Sequence, residues 1–366
     1  MNASTWRMRA AVTAALAAAV TLLALPAPRS SAPATPAGPL ALAQAWPAAR
    51  TTELAANLPG GGRFFPSAVL DPGQLVGTVT SADGNRTSLV LLRTADPAHP
   101  RVLQEYRTAD GVSIDAVSAV DGRIYWMTGT ADDQGRPHTS LYRADAAGGQ
   151  PRRLTDDTGR PTYYGSQYDL QVVDGRVYWT ATRTIDPLTS ELRSVPVDGG
   201  PVAVRPFDAA YALAAWPWLT TSGGSLGQPV SVLNATTGER RTIQPRPGEQ
   251  LACGPTWCRA TTSGPSNAVI TLRRLDGSGE VRVNADGEGS VIVDVAVLDR
   301  FELLAAPVSH PLAVASEKLA MYDLKTHRRV ALAVTTAAGG RGRWLWWSTG
   351  DNETLTWHLL DLTSLA

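Results

Sequence analysis

Beyond about residue 60 the chain alternates apolar and polar residues in short runs broken by Gly, Asp, Asn and Pro. A period of two is the pattern of a strand with two faces, and helix-period stretches are scarce. The clearest run begins at Ser113: SIDAVSAV, RIYWMTG, TSLYRAD and QPRRLT, each followed by a turn or polar loop. Asp121-Gly122 supplies a tight turn, because Gly accepts positive φ without a steric penalty. A second series matches it strand for strand: QYDLQVV, RVYWTAT, SELRSVPV and GPVAVRP. Its centre is nearly a copy, since VDGRIYWMTGT from Val120 returns as VDGRVYWTATR from Val173, 53 positions later.

Weaker echoes extend the series in both directions. SAVLDPGQLVGTVT with TSLVLLRT lies upstream. AAYALAAWPWLTT with PVSVLN, LACGPTWCRATT with AVITLRRL, SVIVDVAVLDRFELLAA with KLAMYDL, and GRWLWWSTG with TLTWHLLDL lie downstream. The third strands recur at roughly 40–50 residues, the period of four-stranded propeller blades. The expected fold is therefore an all-β propeller of four-stranded antiparallel sheets. Seven blades are preferred, with six as the alternative because the first and last pairs are the least regular. Repetition has a physical cause. A lone sheet with Trp on its face cannot bury that face, whereas a neighbour can, and a Trp burying about 200 Å² gains about 5 kcal/mol gross. Trp126, Trp179, Trp218, Trp257 and Trp347 are expected in these inter-blade cores. GRWLWWS places aromatics on alternate sides of its strand, and Trp344 and Trp346 are candidates for an exposed pair facing a sugar or peptide. The last hairpin pair ends without a fourth strand, and RTTELAANL near residue 50 is expected to supply it and close the ring.

Composition narrows the function classes. Lys plus Arg equal Asp plus Glu at 33 each, so there is no basic surplus to neutralise a phosphate backbone, and nucleic acid is not an expected partner. Residues 1–26 read as a signal peptide or membrane anchor: two arginines, no acid, then an apolar run from Ala10 to Leu25. Residues 27–44, rich in Pro, Ala and Ser, read as a flexible linker, and 45–366 as one propeller domain. Export makes a disulfide between Cys253 and Cys258, within CGPTWC, the expected fate of the two cysteines.

At this point the motifs support a resemblance. IYWMTG and VYWTAT resemble the repeat of YWTD propellers, and a GG turn followed by QPRRLT is similar to segments of TolB-like propellers. The WPW element, the C-x4-C loop, LDRF and WWSTG together look like a group of exported actinobacterial TolB-like proteins. The resemblance implies the propeller fold over most of residues 45–366 and leaves function open, because this fold hosts binders, scaffolds and enzymes. The final Asp of the YWTD motif is replaced here by Gly129 and Ala181.

Three constellations carry candidate chemistry. Asp132-Asp133-Gln134-Gly135-Arg136-Pro137 recurs as Asp156-Asp157-Thr158-Gly159-Arg160-Pro161, followed by Tyr163 and Tyr164. The two copies fall in loop types that emerge on one propeller face. They form a candidate partner-binding face through Asp132, Asp133, Arg136, Asp156, Asp157, Arg160, Tyr163 and Tyr164, with plain turn chemistry as the alternative. Asp115, Asp169 and Asp294 each stand near the start of a presumed inner strand. They are candidate ligands for a structural divalent cation in the central channel, or else acceptors for amides that tie the ring together. Gly223-Gly224-Ser225-Leu226-Gly227 matches G-x-S-x-G but precedes a strand rather than a helix, so it reads as a turn. The five histidines show no paired spacing, and no catalytic residue or cofactor is assigned. The expected function is an exported, non-enzymatic, monomeric binding or scaffold propeller at the outer face of the cell envelope, with a protein or a cell-wall glycan as partner. The alternative is an exported propeller hydrolase or lyase acting on polysaccharide.

Overall fold

The computed structural model describes residues 38–131, 134–182, 189–221, 225–264, 268–308 and 316–365. Seven antiparallel sheets follow one another round a ring, which makes this a seven-bladed β-propeller. Blades one to seven span Arg63–Arg107, Ser113–Thr155, Arg160–Phe207, Tyr211–Ile243, Glu249–Arg282, Gly289–Thr335 and Ala338–Asp361. Each hairpin pair read from the alternation falls within one blade. The leader, residues 1–26, lies outside the described residues. Among those described, no helix is long and apolar enough to cross a membrane.

The ring closes as the unpaired last hairpin required. Thr51–Ala55 lies antiparallel to Thr356–Asp361 as the outer strand of blade seven, so the N-terminal segment covers an edge that would otherwise stay open. A second tie differs from the expected tether. Leu40–Ala41 pairs in parallel with Val330 and Ala331 at the outer edge of blade six, and Leu42 and Ala45 pack against the cluster between blades six and seven. The end of the Pro/Ala/Ser-rich stretch is thus built into the sheet, where Leu42 finds an apolar surface.

Inter-blade packing follows the tryptophans. Trp126 of blade two is fully buried against Leu89, Leu91 and Leu103 of blade one, and Trp179 of blade three against Tyr125, Met127 and Leu141 of blade two. Each indole also donates backwards, Trp126 Nε1 to Gln104 Oε1 at 2.6 Å and Trp179 Nε1 to the Thr158 carbonyl at 2.9 Å. Trp257 and Trp347 are buried, whereas Trp218 is only half-buried. Trp344 and Trp346 are not an exposed pair. They are 6% and 7% accessible and pack with Phe64, Leu75 and Leu92 of blade one. The ring turns both sides of this strand into interior.

Arginines form a second repeating tie. Arg101 of blade one donates to the Asp145 and Gly149 carbonyls of blade two at 2.7 and 2.6 Å. Arg143 of blade two reaches the Val197 carbonyl of blade three at 3.1 Å, and Arg205 of blade three the Ala235 carbonyl of blade four. In each case a guanidinium satisfies carbonyls at the turn between the next blade's third and fourth strands. The Cys253–Cys258 disulfide forms, closing the first hairpin of blade five.

Candidate functional site

The inner strand of blade three is interrupted. Arg160 and Pro161 pair with Thr182 and Ala181, the Thr162 amide bonds the Thr180 carbonyl, and the ladder resumes with Gln171 opposite Tyr178. Nine steps of chain from Thr162 to Gln171 therefore face two steps of the partner strand. The excess, Tyr163 to Asp169, leaves the sheet and enters the channel. It is held by its own side chains. Asp169 Oδ2 accepts from the amides of Tyr164 and Ser166 at 3.0 and 3.1 Å, Ser166 Oγ accepts from the Tyr168 amide at 3.0 Å, and Gly165 supplies a left-handed turn at φ 72°.

The excursion reaches across the ring. Ser166 Oγ donates to Asp294 Oδ1 at 2.5 Å and the Gln167 amide to Asp294 Oδ2 at 3.0 Å, both on blade six. From blade seven, Arg341 Nη1 donates to the Gln167 carbonyl at 2.8 Å, and the Gly342 amide to Gln167 Oε1 at 2.7 Å. Blade three is adjacent to blades two and four, so these bonds span the channel.

Blade six makes room for this. VIVDVAV was expected as an inner strand, but regular pairing is confined to Gly289–Ser290, with one further bond from the Val291 amide to Leu303 and an isolated bridge from Val297 to Phe301, before the sheet restarts at Phe301–Pro307. The cause is a buried ion pair. Arg259 of blade five binds Glu302 Oε1 through Nε at 2.6 Å, and its other nitrogens take the carbonyls of Val293 and Asp294 at 3.3 and 2.8 Å. Glu302 Oε2 accepts from the Ala296 amide at 3.1 Å. Groups that would have entered a ladder are satisfied by charges instead. The segment ends in three non-glycine residues at positive φ, Ala296 (51°), Leu298 (55°) and Asp299 (56°). Such residues cost about 1 kcal/mol or more each and concentrate at functional sites.

Between this segment and the excursion lies a cavity of about 560 Å³. Its walls come from Tyr164 and Tyr168, Ala212–Ala215 of blade four, Cys253–Pro255 of blade five and Val293–Ala296 of blade six, with Leu298 and Asp299 at its rim. Val293 and Leu298 are 47% and 45% exposed, unusual values for large apolar residues in this protein. The Ala214–Ala215, Gly254–Pro255 and Leu298–Asp299 positions all lie in loops joining first to second strands, so that face of the ring bears the rim.

The predicted site residues are distributed as follows. Asp115 sits at a one-residue bulge in blade two, and burial raises its pKa. Gly129 leaves the space: a Cβ there would lie 2.9 Å from Asp115 Oδ2 and 2.7 Å from Ser113 Oγ. Asp169 and Asp294 meet at the excursion, with Arg341 near both. Burial of Arg341 lowers its pKa, while the charges of Asp169 and Asp294 act to raise it. Among the described residues, no group of three His, Cys, Asp or Glu is placed to hold a metal ion. Asp132 and Asp133 lie outside the described residues. Asp156 accepts from Ser140 Oγ at 2.6 Å and pairs with Arg153 at 2.9 Å, and Asp157 pairs with Arg193 at 2.6 Å. Arg160 is exposed in its short strand and Arg136 is exposed in the loop. Tyr163 turns inward, its hydroxyl 3.1 Å from Met127 Sδ, and burial raises its pKa. Tyr164 lines the cavity. Of G-x-S-x-G, Gly223 and Gly224 lie outside the described residues, and Ser225 is exposed in a turn.

Burial pushes the Asp169 carboxyl up to about 6, against the opposing pull of the Tyr164 and Ser166 amides. A folded-state pKa above the unfolded value means that the folded protein holds the proton more tightly. The associated stability is fully present below about pH 4 and is lost as pH rises through about 6, amounting to about 3 kcal/mol. Urea unfolding between pH 4 and 7 should show this loss in the native chain. Asp169→Asn should flatten it, because one amide oxygen can serve the two backbone donors without a charge. A pH profile identical in both proteins would disprove the assignment.

No protein-family model matches the chain, and no curated protein matches it. Solved structures do. An oligogalacturonate lyase in complex with manganese is 12% identical with a TM-score of 0.53, over 85% of this chain and 90% of its own. A puromycin-hydrolyzing peptidase of Mycobacterium tuberculosis is 15% identical with a TM-score of 0.52, over 89% of this chain. The match spans 56% of the peptidase. A TolB-type protein of Agrobacterium tumefaciens is 12% identical over 81% of this chain and 92% of its own, at a TM-score of 0.32. At these identities the first two likenesses bear on the fold alone and say nothing of the chemistry.

Proposed function

We propose that this chain is an extracytoplasmic binding propeller, working at the outer face of the cell envelope, which receives its ligand or partner group in the channel cavity. The observation that carries this is the cavity itself. Its size falls within the range of about 300–1,000 Å³ typical of ligand sites, and it exposes Val293 and Leu298 at a strained segment. The polar groups in its walls are mostly committed to structure. Arg259 is paired with Glu302, and Asp294 accepts from Ser166 and Gln167. Among the described lining residues the Ser166 hydroxyl meets the Asp294 carboxylate, but that carboxylate also takes the Gln167 amide and no histidine stands in the wall, so we read the pair as structural rather than as an activated nucleophile. The disulfide agrees with an oxidising compartment.

An exported hydrolase or lyase acting on polysaccharide is the second reading, favoured by the raised pKa of Asp169, which suits an acid catalyst. Asp169 stands behind Tyr164 and Ser166, however, and does not line the cavity. The two readings separate in one experiment. The full chain and a Val293→Trp variant, which narrows the mouth at an exposed position, are crosslinked on the native cell surface and separately incubated with envelope polysaccharides. A discrete partner captured by the native chain and lost with Val293→Trp supports the binder. Partner capture unchanged by Val293→Trp removes the channel from the reading, and release of new sugar ends supports the enzyme.

A further inference from the structure

The cavity has a sign as well as a size. The ionisable side chains at its walls and directly behind them are the carboxylates of Asp294, Asp299, Glu302 and Asp169 and the guanidiniums of Arg259 and Arg341. Of these, Asp294, Asp299 and Arg259 line the cavity itself, so two acids face one base. Most of these charges are bonded to one another or to backbone, as described above. Asp299 is the exception: it is exposed at the rim and makes no hydrogen bond or ion pair among the described residues. Its backbone is held at φ 56°, next to Leu298 at 55°, so both side chains are presented by a conformation the chain does not adopt without cause. Opposite stand two tyrosines, Tyr164 and Tyr168, whose hydroxyls make no hydrogen bond among the described residues. Burial pushes the Tyr168 phenol up to about 12, with the charges of Asp294 and Asp299 adding to the effect. Neutral phenols offer a ring face and an acceptor oxygen, both complementary to a cation. The rest of the wall is small or neutral, with alanines, Leu213, Val295 and Pro255 as its apolar part and Thr220 and Thr221 among its polar part, and Leu298 and Val293 are its exposed apolar residues.

We infer that the channel cavity is a site for an organic cation, a protonated amine carried on an apolar body, with Asp299 as its counter-ion. This rests on the cavity being a binding site, and it adds the class of ligand. The amine donates to the Asp299 carboxylate and lies against the tyrosine rings, while its body covers the apolar part of the wall and Leu298. An anionic ligand of the same shape would meet the acidic surplus instead.

A charge series on one ring system tests this: tryptamine as the cation, indole-3-ethanol as the neutral form and indole-3-propionate as the anion, titrated calorimetrically into the full chain. Tryptamine should bind about 10-fold or more tightly than indole-3-ethanol, the effect of a charge-assisted hydrogen bond, and the anion should not bind. Asp299→Asn should remove this preference while leaving thermal unfolding unchanged, since Asn also tolerates a left-handed backbone. Equal binding of all three compounds, or a cation preference that survives Asp299→Asn, overturns the charge inference and leaves the cavity as a binding site. No binding by any of the three overturns both.

Discussion

Glu302→Ala should destabilise the propeller by about 3–5 kcal/mol, because it strands the Arg259 guanidinium in the interior without its counter-charge. Both side chains are buried, Glu302 completely. The loss does not end with the pair. Arg259 also satisfies the Val293 and Asp294 carbonyls, and Glu302 the Ala296 amide. These contacts hold the segment that forms one wall of the cavity. Urea unfolding followed by far-UV circular dichroism measures the first effect. The second is read from the double variant Arg259→Met with Glu302→Leu. Replacing both charges with apolar groups should recover most of the stability, yet leave the Val293–Ala296 backbone without its partners. Tryptamine binding should then fall while the fold persists. A Glu302→Ala variant within about 1 kcal/mol of the native chain would show that the pair is not holding this region.

Trp179→Ala should cost about 3–5 kcal/mol, the usual price of a large aromatic removed from a packed core. The indole fills the interface of blades two and three among Tyr125, Met127 and Leu141, and donates to the Thr158 carbonyl at 2.9 Å. Its removal leaves a void and an unsatisfied acceptor together. Trp218→Ala makes the control, since Trp218 is only half-buried. It should cost less than half as much in the same denaturation series. Equal losses at the two positions would mean that the repeated indole is not what joins successive blades.

The two expectations come from different kinds of information. Trp179 was legible in the chain because VDGRVYWTATR repeats VDGRIYWMTGT, and the repeat identifies which face must be buried. The ion pair was not, since nothing near Arg259 points to a glutamate 43 residues later. The same distinction explains the errors. VIVDVAV has strand composition and would be a strand if composition decided, but the charges of Arg259 and Glu302 claim its backbone. Trp344 and Trp346 looked like an exposed pair because alternation marks opposite sides of a strand, and it does not say whether both sides are covered. Gly129 in place of an acid looked like a missing feature of the motif. In the folded sheet the space is taken by Asp115 and Ser113.

By itself, the amino-acid sequence determined most of the strands, their grouping into repeated hairpin pairs with seven blades preferred over six, and the closing of the ring from the N-terminal side. Alternation and turn residues act over a few positions, and repetition makes each weak signal confirm the next. Only the tertiary structure decided that the inner strands of blades three and six leave their sheets, and that a cavity with Asp299, an acid unpaired among the described residues, lies between them. Those features depend on contacts such as Ser166 with Asp294, 128 residues apart, and Arg341 with Gln167, 174 apart. Polar bonds between such distant groups leave no periodic trace in the chain, because each partner need only be present once, at the place where the ring brings it.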